Sequence, residues 1–156
     1  METYSHYNRE EGWRRICEIL ASEGDGTDLL AMAHRLTRQL VRSPRDPWLR
    51  LARGVVETDL GRFEQAFQDF AYVERNARMP WLKAFSRGLL NELERWQLSV
   101  LSTLLSEDRA FRTAFRADAR KALRDRGFCL SPMGHELLGA LERTVLRNTA
   151  LPPGLA

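Results

Sequence analysis

Three side chains near the C-terminus have the chemical types that a nucleophilic enzyme uses. Cys129, His135 and Glu136 could act as nucleophile, base and orienting carboxylate, because a thiol needs a neighbouring base to become a reactive thiolate. A loop cysteine beside a histidine at a helix start is, however, usually incidental. His6 and His34 are isolated, and the chain has no histidine pair at a spacing of four and no glycine-rich phosphate loop. We therefore predict a non-enzymatic protein with no catalytic residue, no metal site and no cofactor.

Four arginines recur at intervals of four residues and could form a basic stripe on one helix. They are Arg112, Arg116, Arg120 and Arg124. Residues four apart lie on the same helix face, so the stripe could contact phosphates or an acidic protein surface. Few aromatic residues are interleaved for stacking on bases, and Asp118 and Asp125 interrupt the positive charge. We interpret the stripe as a solvated face and do not expect a nucleic-acid partner.

The composition is that of one compact, soluble, globular domain. The chain has 156 residues, of which 44% are hydrophobic and 29% charged. Its net charge of +3 is a small difference between 24 basic and 21 acidic residues, so the charge alone does not indicate nucleic acid. Cys17 and Cys129 are far apart, which favours two near-core thiols in a reducing compartment over a disulfide. With neither a signal peptide nor an apolar membrane span in the sequence, we expect a cytoplasmic protein without a membrane partner.

A sequence echo with a period of 33 residues is the strongest architectural signal. The phrase Pro-Trp-Leu-Arg at 47–50 returns as Pro-Trp-Leu-Lys at 80–83. Across the aligned ranges 47–63 and 80–96, five of 17 positions are identical. A period of this length is typical of stacked helix pairs, in which each pair is one repeated unit. The echo therefore predicts that Trp48 and Trp81 lie side by side.

Apolar residues recur every three or four positions, which predicts an all-helical fold of about seven helices. Thr27 is the expected N-cap of the second helix. Glu94 stands where the first copy of the echo has Gly61, so the fifth helix should either be long or kink near Glu94. The predicted helices span about 9–22, 28–41, 47–60, 63–76, 80–105, 108–126 and 132–148.

These helices divide the chain into three predicted regions. Residues 1–105 form a helical-repeat region, and residues 106–147 form a C-terminal helical segment packed on it. Residues 148–156 carry no charged side chain and include two prolines, which predicts an extended or disordered tail. The sixth helix should begin at a cap on Ser106 or Asp108 and end at Gly127, because glycine tolerates the left-handed conformation after a helix.

The range 47–80 resembles a tetratricopeptide repeat. The resemblance depends on small residues where helices would touch and aromatic residues where pairs would stack, namely Gly54, Gly61, Phe63, Ala66 and Phe70. The second copy is degenerate. The positions equivalent to Gly54, Gly61 and Ala66 carry Arg87, Glu94 and Ser99. The resemblance implies a concave groove, lined by the first helices of successive pairs, that binds an extended peptide or a partner helix.

Eight side chains are candidates for partner binding in the groove that this resemblance implies. They are Arg50, Arg53, Thr58, Asp59, Lys83, Arg87, Asn91 and Glu92. Cationic and amide side chains would suit an acidic segment or a free carboxylate, because arginine donates two parallel hydrogen bonds to a carboxylate. The alternative interpretation is a solvated helix face.

A second resemblance lies in residues 106–141. Phe-Arg-Ala-Asp at 115–118, Ala-Leu at 122–123 and Gly-Phe at 127–128 are similar to a helical segment in small subunits of extradiol ring-opening dioxygenases and in leader regions of ribosomally made peptides. The leader resemblance implies helices that dock on an enzyme, which then modifies the following tail, here 148–156. The alternative is that Phe111, Phe115, Ala122 and Leu123 are simply the core face of one more helix.

Two functions from different classes follow from these patterns. The leading prediction is a non-catalytic adaptor or chaperone-like module that binds a protein or peptide partner in a helical groove. The second is an accessory protein of an enzyme system, either a small helical subunit or a precursor whose own C-terminal tail is modified.

Overall fold

The computed structural model describes residues 2–24 and 28–149, with side chains described in 8–24 and 28–144. In these ranges the fold is all-helical and contains no strand, as the sequence predicts. The described residues form eight helices, one more than expected. They are α1 (Glu2–Ser22), α2 (Leu29–Arg42), α3 (Pro47–Asp59), α4 (Phe63–Asn76), α5 (Pro80–Glu107), α6 (Arg109–Ala117), α7 (Ala119–Asp125) and α8 (Pro132–Thr149).

Aspartate caps start α2 and α3. Asp46 accepts hydrogen bonds from the amides two and three residues ahead, at 2.8 and 3.2 Å, and Pro47 occupies the first turn of α3. Asp28, and not Thr27, caps α2, because its carboxylate accepts from the amide three residues ahead at 2.9 Å. The predicted cap was therefore one residue too early, and Thr27 itself lies outside the described residues.

The fifth helix is one continuous element, so the long-helix alternative is confirmed. In the first copy of the echo, the chain leaves α3 through Gly61, which has a φ of 72°, a conformation that favours glycine. Glu94, at the equivalent position of the second copy, continues the helix instead. The fold divides into two compact units within α5, between Leu93 and Glu94, whereas the sequence placed the first boundary after residue 105.

The first unit contains α1 to α4 and the first half of α5. Helix α3 packs against α1, α2 and α4. The indole rings of Trp48 and Trp81 lie 5.9 Å apart between centroids and are tilted by 45°. The two halves of the sequence echo are therefore neighbours in space, as predicted. Buried residues at the centre of this unit include Ile16, Leu36, Leu51, Val56, Ala66, Phe70, Val73 and Leu82.

Gly54 allows α3 and α4 to approach closely. A methyl group at Gly54 would overlap the ring of Phe70, and that ring is only 2% exposed and so has little room to move. Ala66 and Phe63 are also buried in the first unit. Four of the five small and aromatic residues that the sequence singled out are thus buried, whereas Gly61 is exposed in the turn after α3.

Replacing Gly54 with alanine is expected to lower the free energy of unfolding by about 1–3 kcal/mol, because overpacking outweighs the gain in helix propensity. Gly88→Ala is the matched control, since Gly88 is also helical but has open space around the added methyl. That control should raise stability by up to about 1 kcal/mol. Urea unfolding followed by circular dichroism measures both. Equal effects of the two exchanges would contradict the close approach of α3 and α4.

The second unit contains the rest of α5 together with α6, α7 and α8. The predicted single helix over 108–126 is wrong, because the chain breaks at Asp118. This residue has extended backbone angles (φ −155°, ψ 96°), and its carboxylate accepts from the amide of Lys121 at 2.9 Å. Aspartate competes for backbone amides in this way and so starts a new helix. The core of the unit comprises Leu101, Leu105, Phe111, Phe115, Ala122, Leu123, Leu130 and Leu138.

Both ends of the α6–α7 segment follow the predicted chemistry. Asp108, one of the two expected caps, accepts from the amide of Phe111 at 2.8 Å. That bond, with a contribution from Arg126, lowers the pKa of the Asp108 carboxyl below its usual value. Gly127 follows α7 with φ of 75°, as expected for a residue that ends a helix in the left-handed conformation.

The cysteines and the C-terminal region correct two further expectations. Cys17 is exposed on α1 rather than near the core, whereas Cys129 is partly buried. Helix α8 continues through Thr149, so the first two residues of the predicted tail are helical. Residues 150–156 lie outside the described residues, and modification of the tail stays a prediction. Across the described part of the chain, none of the helices has the length and apolar character that a membrane crossing requires.

Candidate functional site

A buried carboxylate in α4 binds two of the arginines that the sequence assigned to a groove. Asp69 is fully buried. Arg53 donates to it through Nε and Nη2, both at 2.7 Å, and Arg50 donates through Nη1 at 3.2 Å. The guanidinium of Arg50 also lies 3.8 Å from the centroid of the Tyr72 ring and donates to the carbonyl of Pro44. These donors are therefore used inside the first unit.

Arg53 remains charged in this setting. Its hydrogen bond to Asp69 is the main reason that its pKa is raised, and the opposing effect of burial is smaller. The sequence carries a signal for this arrangement. Asp69 lies three residues after Ala66 and four before Val73, so all three share one helix face. An acid on an apolar face requires a cationic partner, because an isolated buried charge is costly.

The other predicted groove residues do not form one free surface. Lys83 donates to the carbonyl of Arg75 at 3.3 Å, and Arg87 pairs with Glu74 at 2.7 Å, so both cations contact α4, as Arg50 and Arg53 do. Thr58 donates to the carbonyl of Gly54, within its own helix. Asp59, Asn91 and Glu92 are exposed. All four cations that were expected to line a shared groove thus contact α4, and partner binding by the eight residues stays a prediction.

The predicted basic stripe is interrupted where its helix breaks. Arg112 and Arg116 lie on α6, whereas Arg120 and Arg124 lie on α7. Arg112 donates to the carbonyls of Leu105 and Ser106, both at 2.8 Å, and so satisfies the last turn of α5. The other three are exposed. The four arginines therefore do not share one continuous helix face.

The residues considered for nucleophilic chemistry are placed as follows. Both the amide and the carbonyl of Cys129 are hydrogen-bonded to the side chain of Gln97, at 2.8 and 2.9 Å. His135 and Glu136 are exposed in the first turn of α8. Among the described residues, no group of three histidine, cysteine or acidic side chains is placed to hold a metal ion.

A pocket of about 350 Å³ lies between α1 and α5 in the first unit. We call it the aromatic pocket. Its walls include Trp13, Trp81 and Phe85, and the rings of Trp13 and Phe85 meet edge to face, 6.0 Å apart and at 84°. Gly12 lets the Phe85 ring reach the backbone of α1, because any side chain at that position would overlap the ring. Gly88 leaves part of the pocket open, since nothing lies within 4 Å of where its Cβ would be.

A charged pair borders the aromatic pocket. Arg9 and Glu92 are 2.5 Å apart, and their side chains are 58% and 44% exposed. Ion pairs with this exposure contribute about 0–1 kcal/mol to the free energy of folding. Glu92 belongs to the predicted groove set, whereas the aromatic walls were missed. The sequence signal was only that Trp81 repeats Trp48, and nothing in the local pattern places α1 against α5.

No protein-family model, no curated protein and no solved structure matches the chain. The resemblances to tetratricopeptide repeats and to the dioxygenase and leader segments therefore stay predictions from the quoted residues.

Proposed function

We propose that the chain is a non-catalytic binding module, of adaptor or chaperone-like type, that holds one large apolar side chain of a protein or peptide partner in the aromatic pocket. The observation that carries this proposal is the convergence of Trp13, Trp81 and Phe85 around an opening of about 350 Å³. Desolvated aromatic pockets hold the few anchor side chains that provide most of the energy of a protein interface. The volume suits one such anchor.

The rim of the aromatic pocket adds polar complementarity to this anchor. Arg9 and Glu92 present one charge of each sign beside the aromatic walls, so polar groups that flank the anchor can pair with either residue. The proposal thus moves the predicted binding surface away from the arginines at 50 and 53. Those arginines are bonded to Asp69, whereas the aromatic pocket is open.

Gly88→Trp tests the proposal by filling the aromatic pocket with the protein's own side chain. Gly88 is exposed and an added Cβ meets nothing, so the fold should tolerate the exchange. We expect affinity purification from the source cell, followed by mass spectrometry, to recover at least about tenfold less partner, equivalent to about 1.4 kcal/mol of binding energy.

Ala114→Trp on α6 is the matched control, because it adds the same side chain at another exposed helical position. Thermal melts of both variants establish that each is folded. A partner that is retained by the Ala114→Trp variant and lost by the Gly88→Trp variant supports the proposal. Undiminished recovery by a folded Gly88→Trp variant would place binding elsewhere on the molecule.

A further inference from the structure

A second cavity, of about 630 Å³, lies at the end of the first unit where two helix connections meet. We call it the turn cavity. It is lined by Arg45 from the α2–α3 connection, by Arg78 from the α4–α5 connection and by apolar side chains between them. Met79, which is 42% exposed, and the half-buried Pro47 and Tyr72 supply the accessible apolar surface of its wall. The cavity therefore combines cationic groups at its edge with an apolar floor.

The 33-residue period places the two arginines of the turn cavity at equivalent positions. Arg45 precedes Pro47 by two residues, and Arg78 precedes Pro80 by two residues, so each stands just before the proline that opens a repeated helix. The two copies therefore also match two residues before the proline, where each has an arginine. Two neighbouring turns thus present the same group to one cavity.

These two arginines differ from the other cations of the first unit that were discussed above. Arg50, Arg53 and Arg87 each pair with an acidic side chain, whereas Arg45 and Arg78 are exposed and form no ion pair with any described residue. No aspartate or glutamate is among the residues that line the turn cavity. The side chains that line the cavity therefore carry a net positive charge.

We propose that the turn cavity binds a small organic carboxylate with an apolar chain. Guanidinium groups recognise carboxylates through paired, charge-assisted hydrogen bonds, and two arginines are among the residues that line this cavity. The apolar chain lies on Pro47, Tyr72 and Met79, because burying it there removes hydrocarbon surface from water. This site is separate from the aromatic pocket, and its occupation does not depend on the proposed partner binding.

Hexanoate and hexanamide are matched probes for this site, since they share an apolar chain and differ in charge. Binding is followed by the NMR shift of the methyl group of Met79 in the full chain. We expect hexanoate to shift this methyl group saturably at millimolar concentration and hexanamide to bind at least about tenfold more weakly. Equal affinity for the two probes would overturn the proposal, as would the absence of any shift with hexanoate.

A double exchange, Arg45→Gln with Arg78→Gln, tests the role of the arginines. Its control is Arg38→Gln with Arg116→Gln, which removes the same charge from two other exposed arginines. We expect the first pair to weaken hexanoate binding at least about tenfold and the control pair to leave it unchanged. Unchanged binding in the first pair would overturn the proposal. Inorganic phosphate distinguishes the source of the anion: if it shifts the Met79 methyl group as strongly as hexanoate does, the apolar chain plays no part and the proposal is wrong.

Discussion

Replacing Asp69 with alanine is expected to lower the free energy of unfolding by about 3–5 kcal/mol, because it leaves two partly buried guanidinium groups without their shared carboxylate. Asp69 is fully buried, and the side chains of Arg53 and Arg50 are only 12% and 20% exposed. Water therefore solvates the two guanidinium groups poorly once the carboxylate is removed. Urea unfolding followed by circular dichroism measures the loss.

The control for this exchange is Asp59→Ala, at an exposed position near the end of α3, which should change stability by less than about 0.5 kcal/mol. Similar effects of the two exchanges would show that Asp69 does not hold the arginines.

The same geometry limits the use of Arg53 in binding experiments. An Arg53→Glu variant would place a second carboxylate against Asp69, so loss of a partner would then report a damaged fold.

Replacing Gln97 with alanine is expected to lower the free energy of unfolding by about 2–4 kcal/mol, from a cavity and from two backbone groups left without a partner. The Gln97 side chain is fully buried, donates to the carbonyl of Cys129 and accepts from its amide. It thus fixes the connection before α8 to α5 within the second unit. Hydrogen exchange at the Cys129 amide, together with urea unfolding, measures the effect.

Two further variants separate hydrogen bonding from volume at this position. Gln97→Glu keeps the size of the side chain, but an ionised carboxylate cannot donate to the Cys129 carbonyl, so it should also destabilise the protein at neutral pH. Gln68→Ala on α4 is the exposed control and should cost less than about 0.5 kcal/mol. If protection of the Cys129 amide survives Gln97→Ala, the side chain does not anchor this connection.

Local signals explain the parts of the fold that the sequence predicted well. Helix α4 has the predicted bounds because a left-handed glycine at 61 precedes it and its apolar residues keep one period throughout. Helix α3 begins at Pro47 because Asp46 caps it. The break at Asp118 was missed because an aspartate fits either a helix surface or a cap, and only tertiary packing decides between them.

The candidate sites were harder to predict, because they depend on contacts between distant residues. Arg53 can bind Asp69 only because Asp69 faces inward at the α3–α4 junction. Gly54 permits the close approach of these two helices. The aromatic pocket depends on α1 lying against α5, through Gly12 and Phe85. Helix periodicity indicates which face of a helix is buried, but it does not indicate which other helix covers that face.

The proposed function requires that the aromatic pocket contacts a partner directly. Photo-crosslinking in the source cell tests it, with a benzophenone amino acid placed at position 88 in the pocket and, in a separate variant, at exposed position 114 on α6. We expect one defined crosslinked protein from position 88 that is absent from position 114. The same crosslinked species from both positions, or none from position 88, would contradict it.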